Sequence, residues 1–342
     1  MNYKKNKILV TGGAGYIGSL LIEKLLKKGF EVICLDIFIY GKSAVKRFQL
    51  NKNFQLIKGD IRNKKLINKI LKDVKTIIHL AAIVGDKPCQ IIPRQSNDIN
   101  INGTKILVEL AKKNNVDKFI YASTCSTYGI IKLHQIASEK TKLNPVSLYA
   151  RQKIKTENLL KKASSKKLKI VSLRFGTAFG LSNRTRFDLT VNSLAYEAVK
   201  YKKIDVYAKN SYRPYIHVQD IAEILKEAVI KKFTKNFYIF NGGFTSQNYT
   251  KGQLVNILKK IKKNLKMEYV DTDDRRSYRV NFNKLENFFN LKPTMSVKKG
   301  FQEMFSAIKL GKINDKIFFS NNLKGLIRYY KSNKRKLVYA KK

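Results

Sequence analysis

Apolar positions in the first half of the chain come in short unbroken runs separated by longer amphipathic stretches. Runs at residues 7–10, 31–35, 54–57, 76–80, 118–121 and 168–173 are rich in consecutive Ile, Leu, Val and Phe rather than alternating with polar residues. A strand covered on both faces needs that pattern, because its side chains point alternately into two buried layers. Between the runs, apolar residues recur at helical spacing and predict helices from about Tyr16, near Ala44, and over 64–71, 97–113 and 147–162. Strand and helix in regular alternation give a parallel sheet with helices on both sides. The expected fold class is doubly wound α/β.

After Arg174 the rhythm loosens. Gly176-Thr177-Ala178-Phe179-Gly180 is followed by helical patterns at 189–200 and 217–231 and by shorter strand candidates such as 237–240. A main domain is expected over 1–174 and a smaller C-terminal one over 175–330, some of whose elements return to the main sheet; 331–342 reads as a basic tail. With no internal repeat and no long Pro, Gly or Ser linker, the two parts should pack as one body.

The first strand candidate runs into Thr11-Gly12-Gly13-Ala14-Gly15-Tyr16-Ile17-Gly18. Glycines in this GxxGxxG spacing let the backbone turn tightly and approach a pyrophosphate, while free N–H groups at the helix start face its charge. Gly12, Gly15, Tyr16, Ile17 and Gly18 are the expected contacts. Asp36 closes the second strand, where a carboxylate accepts hydrogen bonds from both adenosine ribose hydroxyls and repels a 2′-phosphate, favouring NAD over NADP. The bland alternative is a loop aspartate ending a strand. Asp60 and Ile61 follow the third strand at the same edge, beside an adenine ring or in a simple turn.

Tyr149 and Lys153 stand one helical turn apart on one face of the predicted 147–162 helix. A phenol is a poor base at pH 7, and a neighbouring ammonium together with a positive nicotinamide ring favours its ionised form. Such pairs are common on helix surfaces. This one gains meaning from Ser123-Thr124-Cys125-Ser126-Thr127-Tyr128-Gly129, directly after the fifth strand at the edge where ligands bind. A hydroxyl there can hold the substrate oxygen whose proton Tyr149 takes.

Charge adds a question. Lys and Arg total 70 against 24 Asp and Glu, a formal +46 over 342 residues, which makes nucleic acid a partner to consider. The lysines are spread over the polar faces of helical patterns, as in Glu23-Lys24-Leu25-Leu26-Lys27-Lys28, rather than gathered in one stripe with aromatics. A solvated lysine-rich surface is expected, with no specific nucleic-acid partner. Cys34, Cys89 and Cys125 are widely spaced and odd in number, and His79, His134 and His217 lie far apart, so neither disulfides nor a metal site is expected. Cys125 reads as a small buried residue. No apolar run approaches the roughly 18 residues of a membrane span, and the basic start passes too quickly into the glycine loop for a signal peptide. A cytoplasmic location is expected.

Together with His79-Leu80-Ala81-Ala82, Asn100-Ile101-Asn102-Gly103-Thr104, the run from Arg213 through His217 to Asp220, and Asp274 with Tyr278, these motifs resemble the extended short-chain dehydrogenase/reductases. The match is to their nucleotide-sugar epimerase and dehydratase branch and runs from about Lys7 to Ile308. The resemblance implies a Rossmann-type NAD domain, a smaller substrate domain, a nucleotide-sugar substrate and a homodimer. It also implies that Ala81 and Ala82 pass under the cofactor, Asn100 supports that segment, Thr124 activates the substrate, Arg213 grips its diphosphate, and Ser126 and Asp274 border it. For Arg213 the competing reading is a solvated surface arginine.

Departures from the family pattern narrow the chemistry. Cys125-Ser126-Thr127 stands where dehydratases carry acidic residues, so no carboxylic acid is available there to expel a hydroxyl. Thr177 replaces an asparagine that touches the diphosphate in many relatives, and Val84 replaces a lysine of the galactose epimerases. The expected reaction is inversion at C4 of a nucleotide hexose. A single-step reductase or dehydrogenase, or a non-catalytic NAD binder, are the alternatives. Residues 180–188 should border the sugar pocket, where Arg184 or Arg186 either faces water or binds a phosphate or uronate by a forked pair of bonds.

Overall fold

The computed structural model describes residues 6–132, 134–270, 276–313 and 322–332. Seven strands form the main sheet: β1 (Lys7–Thr11), β2 (Glu31–Asp36), β3 (Phe54–Lys58), β4 (Val74–His79), β5 (Lys118–Thr124), β6 (Lys169–Phe175) and β7 (Phe237–Gly242). Their order is β7-β6-β5-β4-β1-β2-β3, all parallel. The unbroken apolar runs follow from burial on both faces. Ile8 and Val10 point into one core layer with Ile78, Ile120 and Val171, while Leu9 between them points into the other with Ile77 and Phe119. Helices Gly18–Lys27 and Val218–Ile230 cover the first face; Lys64–Ile70, Thr104–Lys113 and Leu148–Ala163 cover the second. This is the doubly wound, Rossmann-like arrangement that the pattern predicts. Strand β7 and helix Val218–Ile230 reach it from beyond residue 174.

A second cluster of elements packs around Phe179, Tyr196, Phe301 and Met304. It holds the helices Thr190–Lys200, Lys251–Ile261 and Val297–Lys309, a three-stranded sheet of Thr177–Phe179, Tyr212–His217 and Asn248–Thr250, and the pair Lys203–Tyr207 with Lys266–Val270. Thr177–Phe179 continues directly from β6, so this unit begins at the carboxyl edge of the main sheet.

Two predicted helices differ in extent. The one near Ala44 is a single turn, Ser43–Lys46. The 97–113 helix starts earlier, at Pro93–Asn97, and passes through a π-helical turn, Asp98–Gly103, before Thr104–Lys113. Within that turn the Asn100 side chain takes up the backbone of Ile83, accepting from its N–H at 2.8 Å and donating to its carbonyl at 3.0 Å. A wide turn that aims one polar side chain is a common functional device.

Candidate active site

The spatial order of the sheet reverses between β1 and β4, and ligands of such folds bind in the crevice beyond the carboxyl ends at that switch point. Here β1 gives way to Gly12, whose φ is +70° and where a Cβ would lie 2.7 Å from the backbone nitrogen of Ala81. Only glycine fits between the two crossing segments. At Gly18 a Cβ would meet the Gly13 Cα at 2.6 Å, which keeps the first helix close against the loop. The result is bare backbone at the mouth of a cleft of ≈ 740 Å³.

Two ends of this cleft differ in chemistry. At one end lie Gly12, Gly15, Tyr16, Ile17, Gly18, Asp36, Asp60 and Ile61, with Ala81 and Ala82 along the floor. Asp36 accepts hydrogen bonds from the Ala14 N–H at 3.0 Å and the Phe38 N–H at 2.8 Å, so its carboxylate also shapes the glycine loop. Burial pushes it above the usual carboxylate range, against the pull of those N–H groups and Arg184. At the other end Thr124, Ser126, Tyr149, Lys153, Thr177, Arg276 and Tyr278 line the wall.

Tyr149 and Lys153 share one face of helix Leu148–Ala163, which is capped by Ser147 accepting from the Ala150 N–H. The Lys153 ammonium lies 5.7 Å from the centre of the Tyr149 ring and 4.5 Å from that of Tyr121, and donates to the Ala122 carbonyl at 2.6 Å. Its burial lowers it to about 8, with Cys89 and Glu157 pulling the other way. Thr124 ends β5 and caps a short turn: its Oγ1 accepts from the Ser126 N–H at 3.1 Å and donates to the Ser126 hydroxyl at 3.2 Å. The Ser126 hydroxyl lies 3.4 Å from the Tyr278 phenol.

These features fit NAD. At its glycines the loop offers bare backbone N–H groups to a pyrophosphate, Asp36 offers a ribose acceptor, and the buried Ser123 hydroxyl on the cleft wall has no hydrogen-bond partner among the described residues. Around them the supports are neutral. His79 bridges the Thr11 and Thr104 hydroxyls at 2.7 and 2.8 Å, and burial pushes its imidazole down to about 3. Cys125 is buried, bonds the Arg174 carbonyl, and is pushed up by burial, consistent with an unreactive thiol.

Several expectations change at the level of side chains. Burial pushes the Tyr149 phenol above its ordinary value, and the downward pull comes from Arg186 rather than from Lys153, whose ammonium is turned to Ala122. Asn100 stands behind the wall, its side chain bonded to Gln152 and to the backbone of Ile83, the residue after Ala82. Asp60 lines the cleft but its carboxylate is gripped by Arg62 at 2.5 Å. Arg213 does not line the cleft: its guanidinium donates to the carbonyls of Tyr212 and Arg276 and lies 5.1 Å from the Tyr278 ring centre. Arg276 does line the wall, ion-paired to Asp86. Asp274 lies outside the described residues.

Residues 180–188 fold back over the glycine loop rather than bordering the sugar end alone. The Tyr16 phenol donates to the Gly180 carbonyl at 2.7 Å, and the Ser182 hydroxyl to the Tyr16 carbonyl at 2.6 Å. Arg186 lines the cleft, yet its fork is spent on Asp188, at 2.7 and 3.2 Å. Arg184 faces Tyr40 instead. Arg276 and Asp86 were missed by the sequence reading, although Arg276 sits two residues from the quoted Asp274 and Tyr278.

Among the described residues no helix is long and apolar enough to cross a membrane, and no cluster of His, Cys, Asp or Glu could hold a metal ion. The model of the NAD dependent epimerase/dehydratase family matches residues 8–241. The chain is 30% identical over 286 residues to the UDP-glucose 4-epimerase of Drosophila melanogaster, covering 75% of this chain and 80% of that one. Among solved structures, UDP-glucose 4-epimerase from Thermotoga maritima with UDP-glucose superposes with a TM-score of 0.79 at 25% identity, over 90% of this chain and 100% of that one. UDP-glucuronic acid 4-epimerase from Bacillus cereus, with UDP-glucuronic acid and NAD, gives 0.78 at 27%, over 89% and 99%. The chain belongs to the NAD dependent epimerase/dehydratase family, with NAD as its cofactor.

Proposed function

We propose that this protein inverts C4 of a nucleotide sugar. The observation that carries the reading is one cleft lined at one end by the bare glycine loop and Asp36, and at the other by Tyr149, Lys153, Thr124 and Ser126. When bound in the cleft, NAD would supply the redox chemistry as a reversible hydride acceptor. Tyr149 takes the proton of the C4 hydroxyl and later gives it back, and the Thr124 hydroxyl orients that oxygen. Lys153, bonded to the Ala122 carbonyl, holds a positive charge beside the reacting end that favours the ionised phenol before it takes the proton. Because burial raises the phenol, the phenolate that can take this proton forms only with positive charge nearby, and Lys153 and Arg186 supply it. Ser126, Thr177 and Tyr278 border the sugar, and Arg276, on giving up its bond to Asp86, meets the diphosphate.

The paired carboxylates favour epimerisation over dehydration. Every carboxylate lining the cleft among the described residues is engaged: Asp36 by backbone N–H groups, Asp60 by Arg62, Asp86 by Arg276 and Asp188 by Arg186. None is poised as an acid to expel a hydroxyl. The engagement of Arg186 also weakens the case for a uronate held by that residue. The UDP-linked sugars of the relatives support a uridine nucleotide. The test is a panel of nucleotide sugars incubated without added NAD and separated by chromatography: appearance of the C4 epimer supports the reading, whereas a 4-keto, 6-deoxy product contradicts it.

A further inference from the structure

The end of the cleft marked by Asp36 is closed by three residues far apart in sequence. The Arg184 guanidinium stacks 3.8 Å from the centre of the Tyr40 ring, and its Nη2 donates to the Asn322 side-chain oxygen at 2.6 Å. The Tyr40 hydroxyl donates to the Asn322 carbonyl at 3.4 Å. Asn322 opens the helix Asn322–Ser332, and with Leu323 it lines the cleft beside Asp36, Ile39, Tyr40 and Arg184. Nothing about Asn322 is incidental to the packing: it is 4% exposed, and Leu326, one turn on, is 1% exposed within the core layer that also touches Ile39 and Ile91. A Cβ at Gly325 would fall 2.7 Å from the Tyr40 ring, so the helix comes as near to the tyrosine as a bare backbone allows.

We propose that Arg184, Tyr40 and Asn322 are cofactor-retaining residues, a clasp by which the last described helix shuts the adenosine end of the NAD cleft. The inference rests on the NAD site of the proposed function and goes beyond it. A hydrogen bond from a charged donor to a buried acceptor, backed by a cation stacked on an aromatic ring, must be broken before a dinucleotide can leave past these residues. An epimerase needs this, because the same cofactor must stay in place between loss and return of the hydride. The clasp also explains why residues 180–188 are tied to the glycine loop through Tyr16 and to the first helix through Ser19: those bonds hold Arg184 over the cleft.

The experiment loads the full chain with NADH, chases it with excess NAD and follows the fluorescence change as NADH leaves. Arg184→Ala, Asn322→Ala and Gly325→Leu are compared with the parent, each checked for folding by near-UV circular dichroism. The first two remove the bond and the third pushes the helix off Tyr40 without touching either partner. Release roughly tenfold faster in each folded variant is expected, the loss of one charge-assisted hydrogen bond. Release within twofold of the parent overturns the clasp while leaving the NAD site intact. A parent protein that binds no NADH at all overturns the NAD site and the clasp together.

Discussion

Beneath the reacting end lies a buried ion pair whose removal has a calculable cost. Glu157 sits one turn beyond Lys153 on helix Leu148–Ala163, and its carboxylate accepts from Arg174 on β6 at 2.6, 3.0 and 3.2 Å. Both side chains are 5% exposed. Burial pulls the guanidinium down, but the bonded carboxylate outweighs it and the net shift is upward, so Arg174 stays charged. Glu157→Leu therefore leaves a buried cation with only the Tyr128 hydroxyl, 3.2 Å away, as its remaining side-chain hydrogen-bond partner among the described residues. Breaking one side of such a pair costs about 3–5 kcal/mol, a large share of the roughly 5–15 kcal/mol that holds a domain together. The double substitution Glu157→Leu with Arg174→Met should recover most of the loss, because both desolvation costs vanish. Urea unfolding of the four proteins at pH 7 measures this. A single substitution costing less than about 1 kcal/mol refutes the argument. The pair also reaches the chemistry, since Glu157 is one of the groups raising Lys153. In the shape-preserving Glu157→Gln, Lys153 should lose its proton at lower pH than about 8, and the alkaline fall of kcat/KM should move to lower pH with it; an unmoved limb separates Glu157 from the lysine.

Three further outcomes follow from named contacts. Tyr149→Phe keeps the ring and should leave NAD bound while lowering turnover by about 100-fold or more, the usual range for a lost general base; a smaller loss would assign the base elsewhere. His79 is held neutral by burial, with its folded pKa near 3 below an unfolded value of about 6.5. Its contribution is fully present above pH 6.5 and is lost as the pH falls through that window, by roughly 2 kcal/mol between pH 7 and 5. Thermal melts across that range should be flatter in His79→Gln, and equal slopes would place the acid sensitivity in other groups. Asp36→Ala should narrow the preference for NAD over NADP measured by titration; a parent that binds NADP more tightly would overturn the assignment of Asp36 as the ribose acceptor.

The elements nearest the cofactor were the most legible in the sequence because local geometry dictates them. Two-sided burial forces the unbroken runs of Ile8-Leu9-Val10 and Ile77-Ile78, and the backbone crossing at Gly12 admits no side chain. Tyr149 and Lys153 were legible from helical spacing read together with the hydroxyl-rich segment that follows the fifth strand. What the sequence did not reveal depends on partners distant along the chain. Whether Arg213 or Arg276 lines the cleft turns on carbonyls and on Asp86, 190 residues from Arg276. The position of residues 180–188 is set by Tyr16, 164 residues from Gly180. The π-helical turn at Asp98–Gly103 has no local propensity behind it; it exists because Asn100 must reach the backbone of Ile83. Asn322, in a region carrying no motif, gave no signal at all.

The central claim is that one hydride leaves C4 and returns to it inside a closed cleft. Incubating the purified protein with a UDP-hexose carrying deuterium at C4, without added cofactor, and examining the product by mass spectrometry and NMR tests it most directly. The account predicts the C4 epimer with the deuterium still at C4 and no NADH released to solution. Loss of the label to solvent, or product formed only with stoichiometric consumption of added cofactor, would contradict it.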